Sequence, residues 1–115
     1  MANTFKVITK AGVTSADVIY TVAGSTTTVL LGIMLGNTTA SATTATVTLT
    51  SDTGSRAGAN NEANQTVELV TNAPIPVGSS LELLAGNKVV METTDTLSLT
   101  GSAATDIILS VMEIT

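Results

Sequence analysis

Asp52, Thr53 and Gly54 form the one tripeptide in this chain that resembles catalytic machinery, since Asp-Thr-Gly carries the water-activating carboxylate of aspartic proteases. That chemistry needs two carboxylates close enough to share a proton, each aimed by a tight turn at the end of a buried apolar strand. At 115 residues the chain also has about the size of a small dimeric protease subunit. The context does not fit. Asp52 follows Thr50-Ser51 near the midpoint of the chain and opens a polar stretch. No apolar-apolar-Gly-Arg element follows it, and the only arginine is Arg56. Asp-Thr-Gly is also ordinary turn chemistry: Asp hydrogen-bonds nearby backbone N–H groups and Gly accepts positive φ.

Other chemistries have less behind them. "GSRAG" and "AGSTTT" lack the Gly-Lys-Thr ending and the Gly-x-Gly-x-x-Gly spacing of phosphate loops. A serine nucleophile needs a base, and the chain has neither His nor a Ser-x-x-Lys spacing. Without Cys or His there is no disulfide, no thiolate or imidazole metal site and no neutral-pH proton shuttle. The pairs Glu92/Asp95 and Asp52/Glu62 could offer oxygen ligands to a hard cation, but no Asp-x-Asp-x-Asp run occurs. A solvated acidic surface is the preferred account of them. The chain is read as no enzyme, with no catalytic residue, no metal and no cofactor.

The net charge is −5, and the four cations, Lys6, Lys10, Arg56 and Lys88, are scattered, which argues against nucleic acid as a partner. The longest apolar run, "VLLGIMLG", is far short of the roughly 20 residues of a membrane helix. "MANTFKVITK" has no signal-peptide pattern, so the mature chain is expected to begin there as a soluble protein.

What must position any site is a set of strands. "ATVTLTS" at 45–51 alternates Ala45, Val47 and Leu49 with threonines; "QTVELVT" (Val67 and Leu69 inward), "SLELLA" and "TLSLT" repeat the device. Thr, about one residue in five, is β-branched and suits the wet face of a sheet. "DVIYTV", "TTVLLGIMLG", "NKVVME" and "TDIILSVMEIT" are apolar on both faces and belong under a second layer or in a subunit contact. "FKVIT" is the ninth candidate. Met34, Met91 and Met112 read as core or interface filler. Turn residues recur at 23–26, 36–41, 73–80, 85–87, 92–95 and 101–105, and Gly86-Asn87 is expected to close a hairpin within "SLELLAGNKVVME". The prolines of "APIPVG" read as ending one strand and beginning a turn. Residues 1–115 therefore read as a single all-β domain, an antiparallel β-sandwich or jelly roll of about 8–9 short strands with little helix.

One connection is longer than the rest. "SDTGSRAGANNEAN" is either an exposed hairpin loop or a partner-contacting loop, with Asp52, Arg56, Asn60, Asn61 and Glu62 as the candidate contacts. A mean hydropathy of +0.45 with 11% charged residues favours a homo-oligomer that hides surplus apolar surface.

"VIYTV" at 18–22, "LGNTTAS" at 35–41, "NAPIP-GSSLEL--GNK" at 72–88 and "S-MEIT" at 110–115 together resemble a family of small virion structural proteins of tailed phages, notably those of marine bacteria and cyanobacteria. The likeness spans almost the whole chain, and the middle block is its most specific part. It implies a building block of the virion, made in the host cytoplasm, with the major capsid protein or other virion proteins as partners. A small capsid decoration or cement protein is the preferred station. A tail or neck component, or a receptor- or carbohydrate-binding sandwich, are the alternatives. Members vary in the region of "SDTGSRAGANNEAN", so the likeness does not assign that loop.

Overall fold

A computed structural model of the chain describes residues 2–52 and 64–115. Its regular elements are strands: β1 (Asn3–Val13), β2 (Asp17–Thr21), β3 (Thr27–Asn37), β4 (Thr43–Ser51), β5 (Gln65–Ile75), β6 (Ser80–Glu82), β7 (Val89–Met91), β8 (Thr96–Gly101) and β9 (Thr105–Ile114). All nine expected segments are among them. They are not uniformly short, since β1, β3 and β5 reach 11 residues. Runs of β-branched residues carry these ladders past the apolar cores that first suggested them.

The pairing is nested. β4 pairs with β5, β3 with both β6 and β7, β2 with β8, and β1 with β9, all antiparallel. The ladder is thus one long hairpin, and rolling it up brings β9 beside β3 and β8 beside β4. The result is two packed sheets, β1-β9-β3-β6 with β7 also on β3, and β2-β8-β4-β5. With β6 and β7 counted as one interrupted strand, this is an eight-stranded jelly roll.

That interruption corrects the hairpin expected at 80–92. β6 pairs with Met34–Gly36 and β7 with Thr28–Leu30, so both run the same way along β3 and neither pairs with the other. Between them the chain bulges outward. Ala85 and Gly86 take positive φ, and the Asn87 N–H donates to the Leu84 carbonyl. Leu84 turns into the core. Gly86 takes the expected positive φ but shares it with Ala85 rather than Asn87, and burying Leu84 converts a chain reversal into a detour in one strand.

The inner faces meet in one aliphatic core. Leu30, Ile33 and Leu35 of β3 and Ile107, Leu109 and Val111 of β9 face Val47 of β4 and Leu97 and Leu99 of β8, all essentially inaccessible. Ala45, Val47, Leu97 and Leu99 point inward as the alternation requires. Val67 does not become core: although in register with Leu49, it is 56% exposed, because β5 is an edge strand with no neighbour on its other flank. Pro74 sits within β5 opposite Thr44 rather than ending it, which an edge strand tolerates. Pro76 begins the turn, its carbonyl accepting the Ser79 N–H.

Asn37 joins two of the sequence blocks named above. Its buried amide donates to the carbonyls of Ser41 and Ile75 at 2.8 and 2.9 Å, and its oxygen accepts the Thr39 N–H at 2.9 Å. "LGNTTAS" and "NAPIP" are therefore two halves of one corner, stitched across the sheets by a single side chain. Gly101 marks another close approach: a Cβ there would lie 2.6 Å from the Val13 carbonyl oxygen.

Candidate functional site

Of the five loop residues put forward as contacts, the structure describes Asp52. Arg56, Asn60, Asn61 and Glu62, with Thr53 and Gly54, lie outside the described residues. Asp52 leaves β4 tied to the turn before β8. Its N–H donates to Asp95 Oδ1 at 3.1 Å, and the Thr94 hydroxyl donates to its Oδ2 at 2.8 Å. Asp95 is buried, not part of a solvated acidic surface, and its Oδ2 accepts the Glu92 N–H at 3.0 Å. Asp52 and Asp95 meet here through a backbone N–H rather than carboxylate to carboxylate. This geometry ties the end of β4 to the turn at 92–95.

The feature that sequence reading placed only in outline is the outer face of the first sheet. In β9 the odd positions 107, 109 and 111 fill the core, so Ile108, Ser110 and Met112 point outward. Register carries that face across the strands. Phe5, Met112, Val29 and Val90 form one row through β1, β9, β3 and β7. Thr9, Ile108, Met34 and Glu82 form a parallel row ending on β6. Phe5 is 71% exposed, Val7 66% and Val90 61%. Between the rows Val7 stands beside Ser110 and Gly32, and these two small residues leave a depression of about 200 Å³ walled by Met34, Ile108 and Glu82. Of Met34, Met91 and Met112, Met91 is core, while Met34 and Met112 belong to this outer face. The signal in the sequence was the group of strands apolar on both sides. One side lines the core and the other is left uncovered by the described residues.

β1 reaches this position as an edge strand, and polar ties on its inner side hold it. Lys6 Nζ lies 2.7 Å from Glu113 Oε1, and the Tyr20 hydroxyl donates to Glu113 Oε2 at 2.5 Å. With its own hydrogen directed at Glu113, the Tyr20 oxygen accepts from the Thr28 hydroxyl at 2.7 Å. This network crosses from β2 in the second sheet to β1, β3 and β9 in the first. The Lys6 ammonium, and then the Tyr20 hydroxyl, hold the Glu113 carboxyl below the usual carboxylate range. Burial, and then the bond to Glu113, push the Tyr20 phenol up to about 12. Lys10 pairs with Asp17 of β2 at 3.2 Å, and Asp106 Oδ1 accepts the N–H of Gly12 where β1 bulges. Two of the four cations are thus spent on fixing β1.

Among the described residues no cluster of three metal-ligating side chains occurs, and no helix is long and apolar enough to cross a membrane. No family model matches the chain, and no curated protein matches it. Two solved structures are similar to it. One comes from work on Bacillus endospore appendages described as disulfide-linked pili, with 19% identity over 99% of this chain and 87% of the other and a TM-score of 0.49. The second is a chain of the T13 IBDV viral particle, with 10% identity and a TM-score of 0.51 over 96% of this chain. The present chain spans 34% of that viral chain's length. At such identity the likeness to the viral chain concerns the fold: this protein is an all-β, two-sheet antiparallel sandwich of a kind that a viral particle also uses.

Proposed function

We propose that this chain is a non-enzymatic structural component of a tailed-phage virion, and that its station is capsid decoration, on the major capsid protein. The observation that carries the reading is the outer face of the first sheet. A solvated monomer rarely keeps contiguous apolar surface of that extent, and such a patch marks an assembly contact. The jelly-roll order it shares with a viral-particle chain supports the reading, as do the blocks that resemble virion proteins. So does a composition without His or Cys, in which Asp52 ties the end of β4 to the turn before β8. A compact sandwich suits a cap on a shell better than a fibre shaft.

Quantitative mass spectrometry of purified particles tests it. Hundreds of copies per particle fit decoration and a handful fit the neck or tail. Absence from the particle overturns the virion role altogether.

A further inference from the structure

We infer that the first partner of the apolar face is a second copy of this chain, packed face to face across a two-fold axis, with Phe5 of each copy seated in the depression over Gly32 and Ser110 of the other. The inference rests on the reading of the chain as an assembly module and names the contact that the module makes.

Area allows it. Strands about 4.8 Å apart and residues about 3.4 Å apart make the face about 19 by 27 Å. Where two such faces cross at right angles they overlap over about 19 by 19 Å, so the pair removes about 700 Å² of flat area from water, the size of a weak, concentration-dependent contact. Charge points to this face rather than another. The chain carries −5 and repels its own copy, whereas the Phe5 row and the Ser110 row contain no charged side chain and the parallel row carries one, Glu82, at its β6 end beside the depression.

Shape sets the arrangement. Among the described residues Phe5 is the most exposed large apolar side chain, and the depression is a concavity on the same face. Val7 is directly opposite Ser110, so Phe5 lies two residues along and one to two strands across from the hollow. That is about 7 Å in each direction, placing the joining line at about 45° to the strands. A two-fold axis in the interface plane that bisects this line puts each Phe5 over the other copy's hollow in one operation, as an isologous contact requires. It also turns the strands of one copy to about 90° over those of the other, one of the two preferred angles of sheet-on-sheet packing. A ring and a hollow placed at random on the face would not give a preferred angle.

Sedimentation equilibrium of the full chain, up to about 100 μM, is the test, with Phe5→Asp removing the ring and Ser110→Leu filling the hollow. Both positions are exposed, so circular dichroism should match the parent chain. The parent is expected at twice the chain mass, and each variant should weaken association by about 30-fold or more. Val18→Asp, on the outer side of the second sheet, should leave association unchanged. Because the chain has no Cys, mixing Phe5→Cys with Ser110→Cys chains under mild oxidation should give a disulfide-linked pair. A parent that stays at one chain mass, an odd multiple of it, or a dimer indifferent to both substitutions overturns the inference. A chain single in solution yet present at hundreds of copies per particle overturns the pairing and leaves the virion role intact. A dimer found in no particle does the reverse.

Discussion

On the outer face of the second sheet Thr50 stands between Thr66 and Thr96, and Thr48 between Glu68 and Ser98. In the corresponding places on the first sheet Met112 stands between Phe5 and Val29, and Ile108 between Thr9 and Met34. Both faces use the same pleat and the same kind of ladder. One is clothed in β-branched hydroxyls that pair with each other, as Thr50 and Thr66 do at 2.9 Å, and the other in apolar groups that no described residue covers. The edges repeat the contrast. β5 is bulged, holds Asn72 at positive φ and carries Glu68 and Pro74, devices that discourage a further strand. β1 is of equal length and regular from Asn3 to Lys10. A chain that solvates one sheet so thoroughly has the means to solvate the other. Leaving the first sheet apolar therefore points to use.

The sharpest way to break that contrast lies within β9, where neighbouring residues face opposite sides. Leu109→Ala empties a fully buried site and should cost about 2–5 kcal/mol. Ile108→Ala, one residue away on the outer face, should cost about 0.5 kcal/mol or less in the isolated monomer. Urea unfolding at low protein concentration measures both. If Ile108→Ala proves as costly as Leu109→Ala, the outer face is covered within the single chain and the contrast collapses.

A smaller effect concerns what holds β1 in place. Tyr20→Phe deletes the phenol that donates to Glu113 and accepts from Thr28, and should cost about 1–2 kcal/mol at neutral pH. The pH dependence has a definite sign. Tyr20 is raised to about 12 in the folded chain, so its contribution is intact below the ordinary tyrosine pKa of about 10 and is lost as pH rises towards 12. Glu113 is lowered, so its contribution is intact above the ordinary glutamate value and is lost as pH falls below it. Thermal melts across both ranges should show two flanks, and Tyr20→Phe should flatten the alkaline one. An unchanged alkaline flank would mean that the phenol does not hold β1 to the sandwich.

Much of this was legible in the sequence because side chains alternate along strands. Period-two runs located the strands, and Leu97, Leu99 and Val47 point where alternation sends them. What alternation cannot supply is the partner. "SLELLAGNKVVME" looks like a hairpin because turn residues separate two apolar runs, yet both runs pair with β3, a strand some 50 residues earlier. Whether a turn reverses the chain depends on where Leu84 finds cover, which is a tertiary fact. The apolar face was half legible for the same reason. Strands apolar on both sides say that two covers are needed, and only register reveals that Phe5, Met112, Val29 and Val90 share one of them. Asp95 was misjudged because a carboxylate in a turn reads as exposed. Its burial follows from the N–H groups of Glu92 and Asp52 converging on it.

The smallest expected effects test the threonine face itself. Thr43 and Thr50 lie on one strand, yet Thr43 is buried and its hydroxyl is the one buried side-chain oxygen without a partner among the described residues. An unsatisfied buried hydroxyl costs free energy, so Thr43→Val, which keeps the shape and the β-branch, should stabilise the chain by about 1 kcal/mol. Thr50→Val removes a hydroxyl that is already paired with Thr66 and near water, and should shift stability by about 0.5 kcal/mol or less. Its effect should appear as lower solubility, because it begins to make the second sheet resemble the first. If Thr50→Val instead destabilises as much as Thr43→Val stabilises, the threonines of the outer ladder hold the fold together. The difference between the two faces would then be mechanical rather than a matter of what each face meets.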